Sequence, residues 1–166
     1  VTVTNSAGCT AFDEVSVFIS SIELELETVL PSCHNTPDAN ITLFSEGGQE
    51  PYVYALNDQN FQTERDFGEL AAGEYEVFVQ DALGCEYNEI VSIDNPELFE
   101  IDLGENKNIT LGENISLSIE GNYPIDQVQW EPNVYFECSS CINPTINPSY
   151  TNNYYVTASN SNGCIA

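Results

Sequence analysis

Short segments in which hydrophobic and polar residues alternate recur along this chain, and they predict β-strands. Ile22–Glu27 alternates strictly with glutamate, which indicates a strand with one apolar and one acidic face. Ala39–Phe44, Pro51–Leu56 and Tyr87–Ile93 are further strand candidates, separated by turn residues such as Gly47. No segment has the period of an amphipathic helix. The pattern predicts an all-β fold.

The C-terminal part of the chain continues this pattern. Leu98–Leu103, Asn114–Ile119 and Ile125–Trp130 are strand candidates, and glycines lie between them. Trp130 sits where a β-sandwich buries a strand tryptophan against its core. We therefore predict it to be a core residue.

One segment occurs three times, and this internal repeat is the sharpest signal in the sequence. Val1–Cys9, Val77–Cys85 and Val156–Cys164 align without a gap. Each begins with apolar residues at alternate positions, followed by an asparagine or aspartate and, three positions later, a glycine. The repeat therefore predicts a strand that runs into a turn, three times over.

The spacing of the repeat predicts how the chain is organised. The first and second copies are 76 residues apart and the first and third are 155 apart, and the first resembles the third more than the second. We expect two module types to alternate, as tandem immunoglobulin-like β-sandwiches. Residues 1–21 are then the final hairpin of a preceding module, 22–96 a complete module, and 97–166 a module that lacks its last strand.

Two tyrosines support the immunoglobulin-like interpretation. Tyr75 and Tyr154 each lie ten residues before the cysteine of their repeat. A tyrosine at the entry to the penultimate strand is typical of the tyrosine corner of such sandwiches. We predict both to be core residues.

The charge of the chain limits its partners. It has 27 Asp and Glu residues against 2 Lys and Arg, a formal net charge of -25. A surface this negative repels nucleic acid and anionic lipid, so we expect neither nucleic-acid binding nor membrane insertion. Hydrophobic residues make up 42% of the chain, which is enough to build a core.

The cysteines and the first residues bear on location. Six cysteines in a chain of this length are typical of an oxidising, extracellular compartment. No stretch approaches the roughly 20 apolar residues of a membrane-spanning helix. Val1 falls within a predicted strand, so we expect the chain to be a segment of a longer polypeptide whose export signal lies elsewhere.

Several motifs resemble those of known surface proteins. The middle module carries Pro31-Ser-Cys33, Gly47-Gly48 followed by Pro51-Tyr52-x-Tyr54, and Leu70-x-Ala72-Gly73-x-Tyr75 leading to Gly84-Cys85. Over residues 30–96 it resembles the SprB-type repeat of gliding-bacterial adhesins. The last module carries Trp130-x-Pro132, Cys138-Ser-Ser-Cys141 and Gly163-Cys164, and is similar to the PKD-like or immunoglobulin-like repeats that accompany it.

The resemblance implies a very long protein that is exported through the type IX pathway and displayed on the cell surface. Adhesion, gliding or prey capture would be its role. The chain departs from the family pattern at one place, because residues 34–38 replace the small, Gly-rich turn that usually follows the first cysteine.

The cysteines suggest specific pairs. Cys33 and Cys85 fall at the two ends of the middle module, and we predict a disulfide between them, worth about 4 kcal/mol in the chain-entropy model. For Cys138 and Cys141 the alternatives are a short-loop disulfide, a zinc site, or a bond from one of them to Cys164. The remaining two, Cys9 and Cys164, are expected to be unpaired or to pair between molecules.

The carboxylates have two interpretations. Oxygen-rich loops at module junctions suit calcium, and Asp13, Glu14, Asp94 and Asp102 are the candidates. The alternative, which we favour, is a solvated acidic face that keeps a surface filament soluble. No other cofactor is predicted.

Nothing in the sequence indicates an enzyme. His34 follows Cys33, but neighbours in a loop do not form a catalytic dyad. The chain has no EF-hand loop, phosphate-binding loop or nucleophile elbow.

The leading functional hypothesis is a structural repeat unit of a long adhesin or appendage that assembles end to end. Residues 1–20 of one molecule would add a strand to the open module of the next. One alternative is a module that binds glycans or other surfaces through exposed aromatics, for which the candidates are Tyr52, Tyr54, Tyr135 and Phe136. The other is a spacer of a large secreted hydrolase.

Overall fold

The computed structural model describes residues 1–17, 21–58, 60–133 and 136–166, and the protein is essentially all-β, as predicted. None of these residues lies in a helix long and apolar enough to cross a membrane. The strands are β1 (Thr2–Thr4), β2 (Thr10–Phe12), β3 (Glu23–Val29), β4 (Ala39–Glu46), β5 (Val53–Leu56), β6 (Asp66–Leu70), β7 (Gly73–Gln80), β8 (Glu86–Ile93), β9 (Ile101–Asp102), β10 (Ile115–Ser116), β11 (Glu120–Gly121), β12 (Gln127–Glu131), β13 (Thr145–Ile146) and β14 (Tyr155–Ser159).

The strands form several small sheets. Two sheets have three strands, in the orders β3-β4-β6 and β5-β7-β8. The other sheets are the antiparallel pairs β1-β2, β9-β11, β10-β13 and β12-β14. Several small sheets of short strands are consistent with β-sandwich architecture.

The chain divides into two compact units. The first comprises Val1–Glu27, Thr42–Arg65 and Glu76–Ile90, and the second comprises Thr28–Ile41, Asp66–Tyr75 and Val91–Ala166. The module limits 22–96 and 97–166 stay a prediction.

In the first unit, β5 and β7 carry most of the buried side chains. They pair antiparallel, with Leu56 opposite Val77 and Tyr54 opposite Val79. Both valines are fully buried and Tyr54 is nearly so. The alternating valines of the second repeat copy therefore face inward, as their period indicates.

In the second unit, Trp130 lies at the centre of the core. It is 1% exposed on β12, opposite Val156 of β14, and packs with Phe99 and Ile119. Its indole Nε1–H donates a hydrogen bond to the carbonyl oxygen of Cys141 at 2.9 Å. A buried tryptophan needs such an acceptor, because an unpaired N–H in an apolar core is costly.

Each of the three repeated turns has the same pattern of hydrogen bonds. In each, a side-chain oxygen accepts hydrogen bonds from the backbone amides two and four residues later, at 2.9 to 3.0 Å. The glycine that follows has a positive φ, which favours glycine over residues with a Cβ. The pairs are Asn5 with Gly8 (φ 78°), Asp81 with Gly84 (φ 80°) and Asn160 with Gly163 (φ 85°). The repeat in the sequence is thus a repeated hairpin turn.

The two tyrosines of the repeat occupy different environments. The Tyr75 hydroxyl donates to the carbonyl oxygen of Ala71 at 2.8 Å, the bond expected of a tyrosine corner. The Tyr154 hydroxyl is buried without a hydrogen-bond partner among the described residues. Burial raises the pKa of Tyr154, because the phenolate would lose its hydration, and the nearby amide of Asn152 opposes this without reaching hydrogen-bond geometry.

The turn at Asp81 offers a direct test of this network. Asp81 is 3% exposed and also accepts a hydrogen bond from the Gln49 amide through Oδ2 at 3.2 Å. Asp81→Ala leaves these amides without their acceptor, so we expect the free energy of unfolding to fall by about 2–3 kcal/mol in urea titrations followed by circular dichroism.

The matched control for that experiment is Asp81→Asn. Asparagine occupies the same position in the other two copies and keeps the Oδ1 acceptor. This variant should therefore lose less than about half as much stability as the alanine variant. Equal stability of the two variants would contradict the role assigned to Oδ1.

Candidate functional site

In the second unit, a set of hydrogen bonds and a disulfide surrounds Cys33, in the loop between β3 and β4. The Ser32 amide donates to Asp38 Oδ1 at 2.9 Å, and the Thr36 amide donates to the carbonyl oxygen of Cys33 at 3.1 Å. Hydrogen bonds from Ser32 lower the pKa of Asp38, because they favour its carboxylate form. Asn35 has φ 59°, a left-handed conformation that asparagine tolerates better than most residues.

This loop holds the segment that follows β8. The Asn35 amide donates to Asn95 Oδ1 at 2.9 Å, and Asn95 Nδ2 donates back to Asn35 Oδ1 at 2.8 Å. His34 Nδ1 lies 2.7 Å from the carbonyl oxygen of Pro96, so that nitrogen carries the proton and donates it. Three hydrogen bonds thus fix Asn95 and Pro96 against the loop.

A disulfide connects the Cys33 loop to the end of the second unit. Cys33 is bonded to Cys164, 131 residues away, with their Cα atoms 5.5 Å apart. The Asn160 turn presents Cys164, because its amide and its carbonyl oxygen both bond to Asn160. The expectation that Cys164 is unpaired or bonded between molecules is corrected by this pairing.

The predicted bond between Cys33 and Cys85 is wrong. Cys85 is a half-buried free thiol at the turn before β8. The eight residues of β8 lead from that turn towards Asn95, which the Cys33 loop holds. The Cys33 sulfur is already bonded to Cys164, so it is not available to Cys85.

For Cys138, Cys141 and Cys9, the structure agrees with one of the alternatives that the sequence predicts. Cys138 and Cys141 form a short-loop disulfide, with Cα atoms 5.5 Å apart, so neither zinc binding nor a bond to Cys164 is their role. The loop also braces Trp130, since the carbonyl oxygens of Ser139 and Cys141 both accept its hydrogen bonds. Cys9 is a free, exposed thiol.

The predicted calcium ligands are exposed, and no metal-binding arrangement is found around them. Within the described ranges, no three His, Cys, Asp or Glu side chains converge to hold an ion. Asp102 Oδ1 accepts a hydrogen bond from the Gly104 amide at 2.8 Å. Asp13, Glu14 and Asp94 lie on the surface. Calcium binding stays a prediction.

Two of the four aromatics expected to contact a ligand belong to the core instead. Tyr54 is 8% exposed. Phe136 packs between Trp130 and Tyr154, with ring centroids 5.7 and 5.4 Å away. Both rings are therefore withdrawn from a binding surface.

For the other two aromatics, Tyr52 and Tyr135, a role in ligand contact stays a prediction. The half-buried Tyr52 donates a hydrogen bond from its hydroxyl to the carbonyl oxygen of Gly47. Burial, followed by the charge of Glu50, raises the pKa of Tyr52. Tyr135 lies outside the described residues.

Cys33 and His34 do not form a nucleophile and base pair. The Cys33 sulfur is oxidised and His34 is committed to Pro96, so this pair cannot supply a thiolate and a base. The arrangement joins distant parts of the chain covalently and holds Asn95 and Pro96 against the Cys33 loop. The departure at residues 34–38 from the family pattern was the signal for this site, since those residues hold Asn95 and Pro96.

No known family model matches the chain, and no curated protein matches it either. The resemblance to SprB-type and PKD-like repeats stays a prediction that rests on the motifs named above.

The two disulfides should differ widely in their contribution to stability. In the chain-entropy model, a bond between residues 131 apart stabilises by about 5 kcal/mol. We expect Cys33→Ala/Cys164→Ala to lose most of that in non-reducing urea titrations.

The control is Cys138→Ala/Cys141→Ala, whose bond joins residues only 3 apart. The same model gives it about 2 kcal/mol. Equal losses in the two double variants would show that the long-range bond does not constrain the chain as described.

Proposed function

We propose that this chain is a structural repeat unit of a long, extracellular adhesin or filamentous appendage, built from tandem immunoglobulin-like β-sandwiches. The observation that carries the proposal is the bond between Cys33 and Cys164. These residues belong to different predicted modules, 22–96 and 97–166. A disulfide between consecutive modules suits a protein that must resist extension when it is pulled along its length.

The linker chemistry supports a stiff junction. A peptide linker alone permits rotation about its backbone dihedrals. Here Asn95 and Pro96 are held by His34 and Asn35, and the disulfide is a second covalent connection. The peptide linker and the disulfide together close a ring. A ring restricts bending and rotation between the predicted modules more than a single linker does.

The disulfide also determines which part of the chain carries tension. Force applied to the two ends of the chain passes directly from Cys33 to Cys164, so the residues between them cannot be drawn out while the bond is intact. Only the residues outside this ring can extend. Such a device suits an adhesin, which is loaded along its length.

Charge and redox chemistry fit the same role. Disulfides persist in oxidising compartments, which supports an extracellular location at the cell surface. A net charge of -25 makes neighbouring repeats repel each other, which favours solubility and an extended chain. Type IX export, gliding and prey capture remain what the family resemblance implies.

Single-molecule force spectroscopy tests this function. The oxidised chain, held between protein handles at its two ends, should release only the length outside the disulfide ring. Reduction should add about 450 Å, the extended length of the 131-residue separation.

Two variants sharpen the force measurement. Cys164→Ser should extend without reductant to within about 10 Å of the full length, which the remaining Cys138–Cys141 bond withholds. Cys138→Ala/Cys141→Ala should leave the released length of the oxidised chain unchanged, because both residues lie inside the ring. Equal lengths with and without reductant in the unmodified chain would overturn the proposed load path.

A further inference from the structure

The outer face of the β12-β14 pair carries polar and aromatic side chains. The antiparallel register places Glu131 opposite Tyr155 and Gln129 opposite Thr157, so these four side chains project from the same side of the pair. All four are exposed. Trp130 lies between Gln129 and Glu131 in the strand, points to the other side and is buried. The pair therefore has a buried core on one side and an exposed surface on the other.

The residues that follow β12 turn part of this surface into a groove. Pro132 and Asn133 line it together with Gln129, Glu131 and Tyr155, and its volume is about 410 Å³. Ligand sites in proteins measure about 300 to 1,000 Å³, so the groove can hold a small ligand or one part of an extended one. All five residues belong to the second unit. We call this feature the β12-β14 groove.

The floor of the β12-β14 groove is fixed by hydrogen bonds along both edges of β12. One edge pairs with β14 from Gln127 to Glu131. On the other edge the Trp130 amide donates to the carbonyl oxygen of Ser139 at 2.9 Å. The side-chain amide of Gln129 donates to the carbonyl oxygen of Trp130 at 3.2 Å, which orients its own oxygen. Groups that are already in place lose less entropy when a ligand binds.

The groups that line the groove match the chemistry of a sugar. A sugar ring has C–H groups on its faces and hydroxyl groups around its edge. Tyr155 is 66% exposed and offers an aromatic face against which the C–H groups can pack. The Glu131 carboxylate can accept hydrogen bonds from two neighbouring hydroxyls, and the side-chain amides of Gln129 and Asn133 can both donate and accept.

Charge and polarity narrow the class of ligand. Of the described residues that line the groove, Glu131 alone is charged, and the whole chain has a net charge of -25, so an anionic ligand is repelled. A wholly apolar ligand would displace water from Glu131 and from the two amides without replacing its hydrogen bonds. An uncharged ligand rich in hydroxyl groups satisfies these groups and still covers the tyrosine ring.

We propose that the β12-β14 groove binds a neutral saccharide, with a sugar ring packed on Tyr155 and its hydroxyls bonded to Glu131, Gln129 and Asn133. Tyr155 is a different residue from the four aromatics that the sequence predicts for glycan contact. The site adds recognition of a glycan to the mechanical role, and it does not depend on the load path through Cys33.

Isothermal titration calorimetry of the intact, oxidised chain tests the proposal. The uncharged probes are cellotetraose, maltotetraose, mannotetraose and tetra-N-acetylchitotetraose, and sialyllactose is the anionic comparison. We expect one or more of the uncharged probes to bind at a single site with a dissociation constant of about 1 mM or lower, and sialyllactose not to bind. Absence of binding by all four uncharged probes, or binding of sialyllactose alone, would overturn the proposal.

Substitutions then locate the site, with the uncharged probe that binds. Tyr155→Ala removes the ring, so it should weaken binding at least about tenfold, whereas Tyr155→Phe keeps the ring and should stay within about threefold. The matched control is Tyr150→Ala, because Tyr150 is 60% exposed in the same unit and is not among the described residues of the groove. It should leave binding within about twofold.

The melting temperature of each variant separates loss of binding from loss of folding. Tyr155→Ala should melt within a few degrees of the unmodified chain, because the side chain it truncates is exposed. Equal losses of affinity in Tyr155→Ala and Tyr150→Ala would overturn the proposal, since the saccharide would then bind outside the groove.

Discussion

The second unit depends on one covalent contact, between Cys33 and Cys164. It spans far more of the sequence than the disulfide of Cys138 and Cys141, and cross-links that close long loops restrict the unfolded chain most. Around it, Asn35 and Asn95 exchange hydrogen bonds and His34 binds the carbonyl oxygen of Pro96. The disulfide limits how far the chain can be extended, and the hydrogen bonds hold Asn95 and Pro96 against the loop, which is why the proposed function is mechanical.

The features that the sequence predicts correctly are local ones. The hydrogen bonds of the repeated turn lie within five consecutive residues, from the asparagine or aspartate to the cysteine after the glycine, so alignment alone finds it at Asn5, Asp81 and Asn160. Alternation likewise finds the inward face of β7 and the buried Trp130 on β12. The disulfide of Cys138 and Cys141 follows from its three-residue spacing. In each case the interaction spans a few residues of one segment.

The errors concern contacts between distant segments. Pairing Cys33 with Cys85 required the two ends of the predicted module to be adjacent, whereas Cys33 bonds to Cys164, 131 residues away in the sequence. Tyr54 and Phe136 are aromatic, as ligand-contact residues often are, and only tertiary packing reveals that Tyr54 is buried and that Phe136 is half-buried against the core.

The central claim is the connectivity of the cysteines, and mass-spectrometric mapping of the unreduced protein tests it most directly. Free thiols are alkylated first, and the chain is then cleaved without reduction. The account predicts alkylated Cys9 and Cys85, one peptide pair joined through Cys33 and Cys164, and an internal bond between Cys138 and Cys141. A peptide pair joining Cys33 to Cys85, with Cys164 alkylated, would contradict it.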